Sequence, residues 1–288
     1  MQRIDNSMTY TYTTMLDALY EIVHTYLYRG RLAAALRITQ ASQPMLDAEE
    51  VARRDRLKLL LLYGQLLVVD HLLGHGEPDL LFVIAQQAKE SADELGDQLL
   101  IADALNLLGQ THYFATITQL LKSSQPVNSP QEEGKFADAF VYHQQALQLR
   151  EVLNDTRGIS QSHFEIGSIH ERWGQNEQAV EHYRKASQIA EQYNYRYEKV
   201  EPARHLALHT LMQGDLDQAL MYGQQALALR EEAGFKPYLP LDHLLLRNIY
   251  LARGETANAQ LHMQQATALA KEIGYPALVA DVPDLRKL

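Results

Sequence analysis

The sequence predicts an all-α solenoid of about six stacked antiparallel helix pairs, and three observations carry that expectation. Gly134, Gly174, Gly214 and Gly254 follow one another at a constant spacing of 40 residues. Five residues after each glycine stands an alanine (Ala139, Ala179, Ala219, Ala259). Seven further on stands another (Ala146, Ala186, Ala226, Ala266), and three beyond it a large aliphatic (Leu149, Ile189, Leu229, Leu269). Self-similarity at such a period marks supersecondary units that bury their apolar faces only against their neighbours. Within the unit the period is helical. Val180, Tyr183, Ala186, Ile189 and Ala190 fall on one face, and Asn176, Glu177, Glu181 and Lys185 on the other.

Taken in chain order, residues 1–10 read as a polar N-terminal tail and residues 11–273 as the solenoid. Gly30 and Ala35 give a degenerate first pair. Tyr63-Gly64 opens the second pair, and Gly76, Phe82, Val83 and Ala88 repeat the pattern of Gly134, Phe140, Val141 and Ala146 at an offset of 58. That offset is one period plus 18 inserted residues, which places an insertion loop near 121–133, inside the third pair that Leu108-Gly109 opens. Ser123, Ser124, Pro126, Asn128, Ser129 and Pro130 give this segment loop chemistry. Three regular pairs follow, each with a glycine between its helices, where a left-handed turn suits that residue. Residues 274–288 read as a short C-terminal cap or tail, because Pro283 interrupts any helix that begins near Pro276. Either a second copy then covers the apolar side of the last pair (Leu261, Ala268, Leu269), making a homodimer through the C-terminal helix pair, or residues 275–288 fold back over it.

Composition narrows the function classes. A formal net charge of −10 argues against nucleic acid or an anionic membrane as the partner. The absence of cysteine removes disulfides and thiol catalysis. The longest apolar run, 59–69, is broken by Tyr63, Gly64 and Gln65 and is too short to span a bilayer. The start of the chain lacks the apolar stretch of a signal peptide, so a cytoplasmic protein is expected. Phosphate-loop, dinucleotide, zinc-protease and nucleophile-elbow motifs are all missing, so the chain is not expected to be an enzyme. His205 and His209 lie one turn apart, as do His71 and His75, but neither pair has a third ligand in sequence. No metal and no cofactor are expected.

The ladder resembles the tetratricopeptide repeat. That motif carries a large residue, a leucine and a small residue in helix A, a glycine after it, and alanine, aromatic, alanine in helix B. Residues 160–193 match at His163, Ile166, Gly167, His170, Gly174, Ala179, Tyr183 and Ala186. Residues 200–229 match at Leu206, Ala207, Gly214, Ala219 and Ala226, with Gly223 in the aromatic slot. Residues 240–269 match at Leu246, Gly254, Ala259 and Ala266, with Arg247 in the small slot, where a loosened helix pair is expected. The common unit has 34 residues, and the 40-residue variety resembles the repeats of bacterial regulators, peptide-pheromone receptors and cell-polarity adaptors. Strand propellers share the period but need β-branched strands, and HEAT repeats lack the ladder.

The resemblance implies a right-handed superhelical α-solenoid whose helices A line a concave groove. Its inward positions transfer to Tyr20, His24, Gln65, Asn106, Gln110, Phe164, Ser168, Arg172, Glu201, Arg204, Leu208 and Asn248. Amides and charges there suit an extended peptide backbone, and the aromatic and aliphatic residues offer pockets. Phe164 and Leu244 stand where chaperone-tail binders carry lysine, which sets that subclass aside. The implied role is a protein- or peptide-binding module acting as adaptor or scaffold. A sensor for a signal peptide or small ligand is the alternative, and a metal-assisted enzyme built on His205 and His209 comes third.

Overall fold

The structure is a computed structural model that describes residues 6–74, 78–122 and 134–280. These form twelve α-helices and no strand. They are α1 (Asn6–Tyr28), α2 (Leu32–Ser42), α3 (Arg53–Gly74), α4 (Asp79–Leu95), α5 (Gln98–Lys122), α6 (Ala137–Leu153), α7 (Thr156–Arg172), α8 (Asn176–Gln192), α9 (Val200–Met212), α10 (Leu216–Ala233), α11 (Leu239–Ala252) and α12 (Thr256–Ile273). Odd and even helices pair as A and B, giving six pairs in a right-handed superhelical α-solenoid. Of the insertion expected near 121–133, residues 121 and 122 end α5 and 123–133 lie outside the described residues, as do His75, Gly76 and Pro283. Helix α1 begins at Asn6, inside the segment expected as a tail. No proline or glycine interrupts the chain before Gly30, and Thr11 and Thr14 donate to the Ser7 and Tyr10 carbonyls one turn back.

The ladder works as helix geometry demands. Gly174, Gly214 and Gly254 turn the chain from A to B at φ +70°, +80° and +77°, the left-handed region where a Cβ costs most. The return turn from B to A has its own ladder at the same period: Asn154, Asn194, Gly234 and Gly274, with φ +55°, +53°, +71° and +89°. Asparagine tolerates this region better than other side chains. The eight ladder alanines are all buried, none more than 2% exposed, because the helices of a pair cross at their Cβ atoms.

Size is traded across each crossing. A Cβ on Gly109 would lie 2.6 Å from the His143 ring, and one on Gly167 would lie 2.8 Å from the Tyr183 ring. In the next pair the small residue moves to helix B, where a Cβ on Gly223 would come within 3.0 Å of Ile249 and 3.1 Å of Leu246. Leu246 and Ile249 are fully buried against α9 and α10, and the half-buried Arg247 donates to Asn248 at 2.8 Å. Helix α3 is long and apolar enough by composition to cross a membrane, but two thirds of its apolar window (67%) is buried inside the solenoid, where it supplies core to two clusters.

The two ends of the solenoid meet. One apolar cluster joins Leu16, Val23, Leu27 and Leu32 of the first pair to Phe235, Tyr238 and Ile273 of the last two. A Cβ on Gly30 would sit 2.6 Å from Ile273. The Tyr275 hydroxyl donates to the Asp70 carboxylate. A 3-10 turn at Pro276–Val279 then folds back, and Val279 and Leu278 pack on Leu244, Ala266 and Ala270. Leu261 stays exposed and Leu269 is half-buried.

Candidate functional site

Helices α5, α7, α9 and α11 present a connected set of polar side chains from repeat to repeat. Gln110 of α5 donates to Glu165 of α7 at 2.7 Å. Arg172 of α7 donates to the Tyr113 hydroxyl of α5 at 2.8 Å. Glu171 of α7 receives the Tyr183 hydroxyl at 2.7 Å and lies 2.8 Å from His205 Nδ1 of α9. The Phe164 ring stands edge-on to His205 at 5.2 Å. On α9, Arg204 donates to Glu201 at 3.0 Å. Tyr20, His24 and Tyr28 of α1 stack at 6.0 and 4.3 Å, and Tyr28 meets Phe235 edge-on at 5.1 Å. A cavity of about 240 Å³ opens beside this stack, lined by Leu16, Asp17, Tyr20, Asp55, Lys58 and Leu59. A larger one of about 370 Å³ lies between α8, α9 and α10, beside Arg184, Lys199 and Tyr222.

The electrostatics divide these carboxylates into two kinds. Burial would raise both Glu171 and Glu201, but neighbouring side chains prevail and hold them well below the usual carboxylate range. For Glu171 these are His205 and Arg172, with hydrogen bonds from His205 and Tyr183. For Glu201 they are Arg230, Arg204 and His205. Glu165 is different. It is 8% exposed, and burial pushes it up to about 7 against the hydrogen bond from Gln110, with the Glu201 charge adding to the rise.

The twelve transferred positions therefore fall into groups. Tyr20, His24, Gln110, Phe164, Arg172, Glu201, Arg204 and Leu208 are half-buried, and Gln65 is exposed. Asn106, Ser168 and Asn248 are buried. Each of these three is bonded within its own helix pair: Asn106 Oδ1 to His143 Nδ1 at 3.2 Å, Ser168 to the Phe164 carbonyl at 3.1 Å, and Asn248 to Arg247. His205 is spent on Glu171 and Tyr183, and His71 on Thr118 and the Phe114 carbonyl. Among the described residues no group of three or more His, Asp or Glu is placed to hold a metal ion.

Two side chains that shape this face escaped sequence reasoning. Arg150 and Arg230 end helices α6 and α10, are at most 2% exposed, and reach through to helices A on both sides. Arg150 donates to Asp103 at 2.9 Å and Ser162 at 2.8 Å. Arg230 donates to Glu201 and Asp242, both at 2.6 Å. Their signal is a repeat register that reads Arg150, Ala190, Arg230, Ala270, in which arginine and alanine alternate. Glu165 had a similar signal. Its register reads Leu107, Glu165, His205, Leu245, so that two core positions are polar.

The tetratricopeptide repeat family profile matches residues 131–192. No curated protein matches the sequence at a significant level. Solved structures do match in fold. BtubC (BKLC) from P. vanneervenii is 16% identical with a TM-score of 0.54, covering 85% of this chain and 91% of that one. The Rap conjugation gene regulator of the plasmid pLS20, solved in complex with the Phr* peptide, is 18% identical with a TM-score of 0.63, covering 91% of this chain and 63% of that one. A signal transduction ATPase with numerous domains from Pyrococcus horikoshii, which has a tetratricopeptide repeat sensor, is 14% identical with a TM-score of 0.53, covering 93% of this chain and 38% of that one. This chain thus spans less than two thirds of the last two proteins. The tetratricopeptide match thus covers residues 131–192, and the likeness to these structures is one of fold, a helical solenoid.

Proposed function

We propose that this chain is a cytoplasmic, non-enzymatic module that binds a peptide or protein segment along the inner face of helices A, as an adaptor or scaffold. The observation that supports it is the chain of half-buried polar and aromatic side chains running across α5, α7 and α9: Gln110, Phe164, Glu171, Arg172, Glu201 and Arg204. Such a mixed surface offers hydrogen bonds to an extended backbone and flat contacts to its side chains. The peptide-bound Rap regulator of similar fold points the same way. The net charge of −10 speaks for a protein ligand over nucleic acid. The meeting of the first and last pairs in one core favours a second reading, a sensor whose superhelix changes pitch when a ligand seats.

The test is selection of binders from a displayed peptide library on the intact chain. Arg204→Ala and Phe164→Ala should each weaken a selected peptide by about 1–3 kcal/mol while helicity is unchanged. Peptides that bind both variants as tightly as the parent, with the fold intact, would refute the groove assignment.

A further inference from the structure

Away from that face, the solenoid carries two histidine pairs that are copies of one another. His163 of α7 and His182 of α8 bring their Nδ1 atoms to 3.1 Å. His243 of α11 and His262 of α12, each 80 residues further along, bring theirs to 2.9 Å. The ring centroids lie 5.1 and 5.2 Å apart. Both pairs bridge helices A and B of one repeat. On α7, His163 leaves the helix roughly 100–180° around from Phe164, Ser168 and Arg172, which stand four and eight positions apart and so keep to one side. The intervening repeat has Ala203 and Tyr222 at the two positions, so the pair occurs in alternate repeats. His163, His182 and His262 are half-buried and His243 is buried.

Two imidazole nitrogens at this distance cannot both aim lone pairs at each other. Either one carries a proton that the other accepts, or a cation stands between them. The neutral form that ligates metals is the one these sites favour. Burial, aided by the neighbouring imidazoles, brings His182 and His243 down to about 4, and burial lowers His163 and His262 as well. The Lys185 ammonium near the first pair is held by Glu181 at 2.6 Å.

The spacing selects the metal geometry. With metal–nitrogen bonds of about 2.0–2.1 Å, ligands at a tetrahedral angle lie about 3.3–3.4 Å apart and ligands at a right angle about 2.8–3.0 Å apart. The observed 2.9 and 3.1 Å sit at and just above the right-angle value. Right-angled nitrogen pairs with water in the other positions are the tetragonal preference of copper(II) and nickel(II). We propose that His163 with His182, and His243 with His262, form two bidentate sites for a divalent transition metal of this kind, with copper(II) the best fit. Each ring binds through Nδ1 and keeps its proton on Nε2, so the cation replaces the shared proton by a change of tautomer and none is lost. The two sites have different neighbours. The His170 ring lies 5.4 Å from His182, whereas Tyr250 occupies the same register beside His262 at 5.3 Å. His170 Nδ1 is bonded to Gln175 at 2.6 Å, so each site rests on its own two imidazoles.

The test uses the full chain without a histidine tag, stripped with chelator and titrated with copper(II) alone, followed by calorimetry and electron paramagnetic resonance. About two equivalents should bind, with nitrogen hyperfine structure and tetragonal g-values. His182→Gln should remove one equivalent, His262→Gln the other, and the double substitution both. The partner substitutions His163→Gln and His243→Gln, made together, should give the same loss and replace the first set should those variants lose helicity. His209→Gln should change nothing. A parent chain that takes up no copper at micromolar concentration, or a folded double variant that binds as the parent does, would overturn the assignment.

Discussion

Glu165→Gln should make this protein more stable at neutral and alkaline pH. Glu165 is 8% exposed and accepts a hydrogen bond from the Gln110 amide at 2.7 Å. Burial carries it from 4.5 to about 7. At about 1.4 kcal/mol per pH unit, that displacement amounts to roughly 3 kcal/mol once the group ionises in both states. The sign follows from which state holds the proton. Between pH 4.5 and 7 the folded chain binds a proton that the unfolded chain has released, so its contribution is fully present below about 4.5 and is lost as pH rises through about 7. Glutamine keeps the shape and an oxygen for Gln110 but cannot ionise. Urea unfolding followed by Trp173, the chain's single tryptophan, packed with Phe136 and Ile169, would report on this region. At pH 8 the variant should exceed the parent by about 1–3 kcal/mol, and the difference should shrink towards zero near pH 4.5. Burial lowers His143 to about 3 and, with neighbouring imidazoles, His182 and His243 to about 4, and these act in the opposite direction. They are common to both proteins and cancel in the difference. A difference that does not vary with pH would refute the reasoning.

Two further outcomes test the architecture. Arg230→Met should cost about 3–5 kcal/mol, because it leaves Asp242 at 1% exposure without its counter-ion. Arg230→Met with Asp242→Leu should recover most of that loss in thermal melts, and a single variant as stable as the parent would remove the clamp from the account. Ile273→Ala should speed amide exchange in α1 and α2 as well as in α11 and α12, since Ile273 packs at Gly30. Exchange changes confined to α11 and α12, as nearest-neighbour coupling in an open array would give, would show that the two ends do not hold each other.

The repeats were legible because close helix packing leaves few choices. Ala139, Ala179, Ala219 and Ala259 sit where only a small side chain fits, and the glycines at 174, 214 and 254 where a left-handed turn is needed. The second turn ladder was equally available, but Asn154 and Asn194 in two of its rungs hid it. Gly223 and Arg247 looked like departures from a pattern. Gly223 is a compensation, because Leu246 and Ile249 of α11 take up the volume it leaves, and Arg247 turns to its neighbour Asn248. The site was legible only as a register. Position along helix A says which way a side chain leaves the backbone, and it placed Gln110, Arg172 and Arg204 in the connected set. It does not say whether a partner from the same pair reaches that side chain first, as His143 does for Asn106 and Arg247 for Asn248. Nor does it reveal that Arg150 and Arg230 reach the A helices from the B side.

The closure of the ends was not legible at all, and it bears most on function. Each repeat turns its neighbour by a small angle, so whether six pairs bring Leu16 against Phe235 depends on an accumulated rotation that no local pattern encodes. An open solenoid would leave its groove accessible at both ends. Here the aromatic stack of Tyr20, His24 and Tyr28 meets Phe235, and Tyr275 reaches Asp70 from the far end of the array. Under the proposed function, a segment seated against Phe164 and Arg204 would have to fit the space this closure leaves, or part the first pair from the last two. The second course would set ligand affinity against the contacts of one apolar cluster. A change in pitch then becomes part of binding, and the sensor reading needs no device beyond the fold itself.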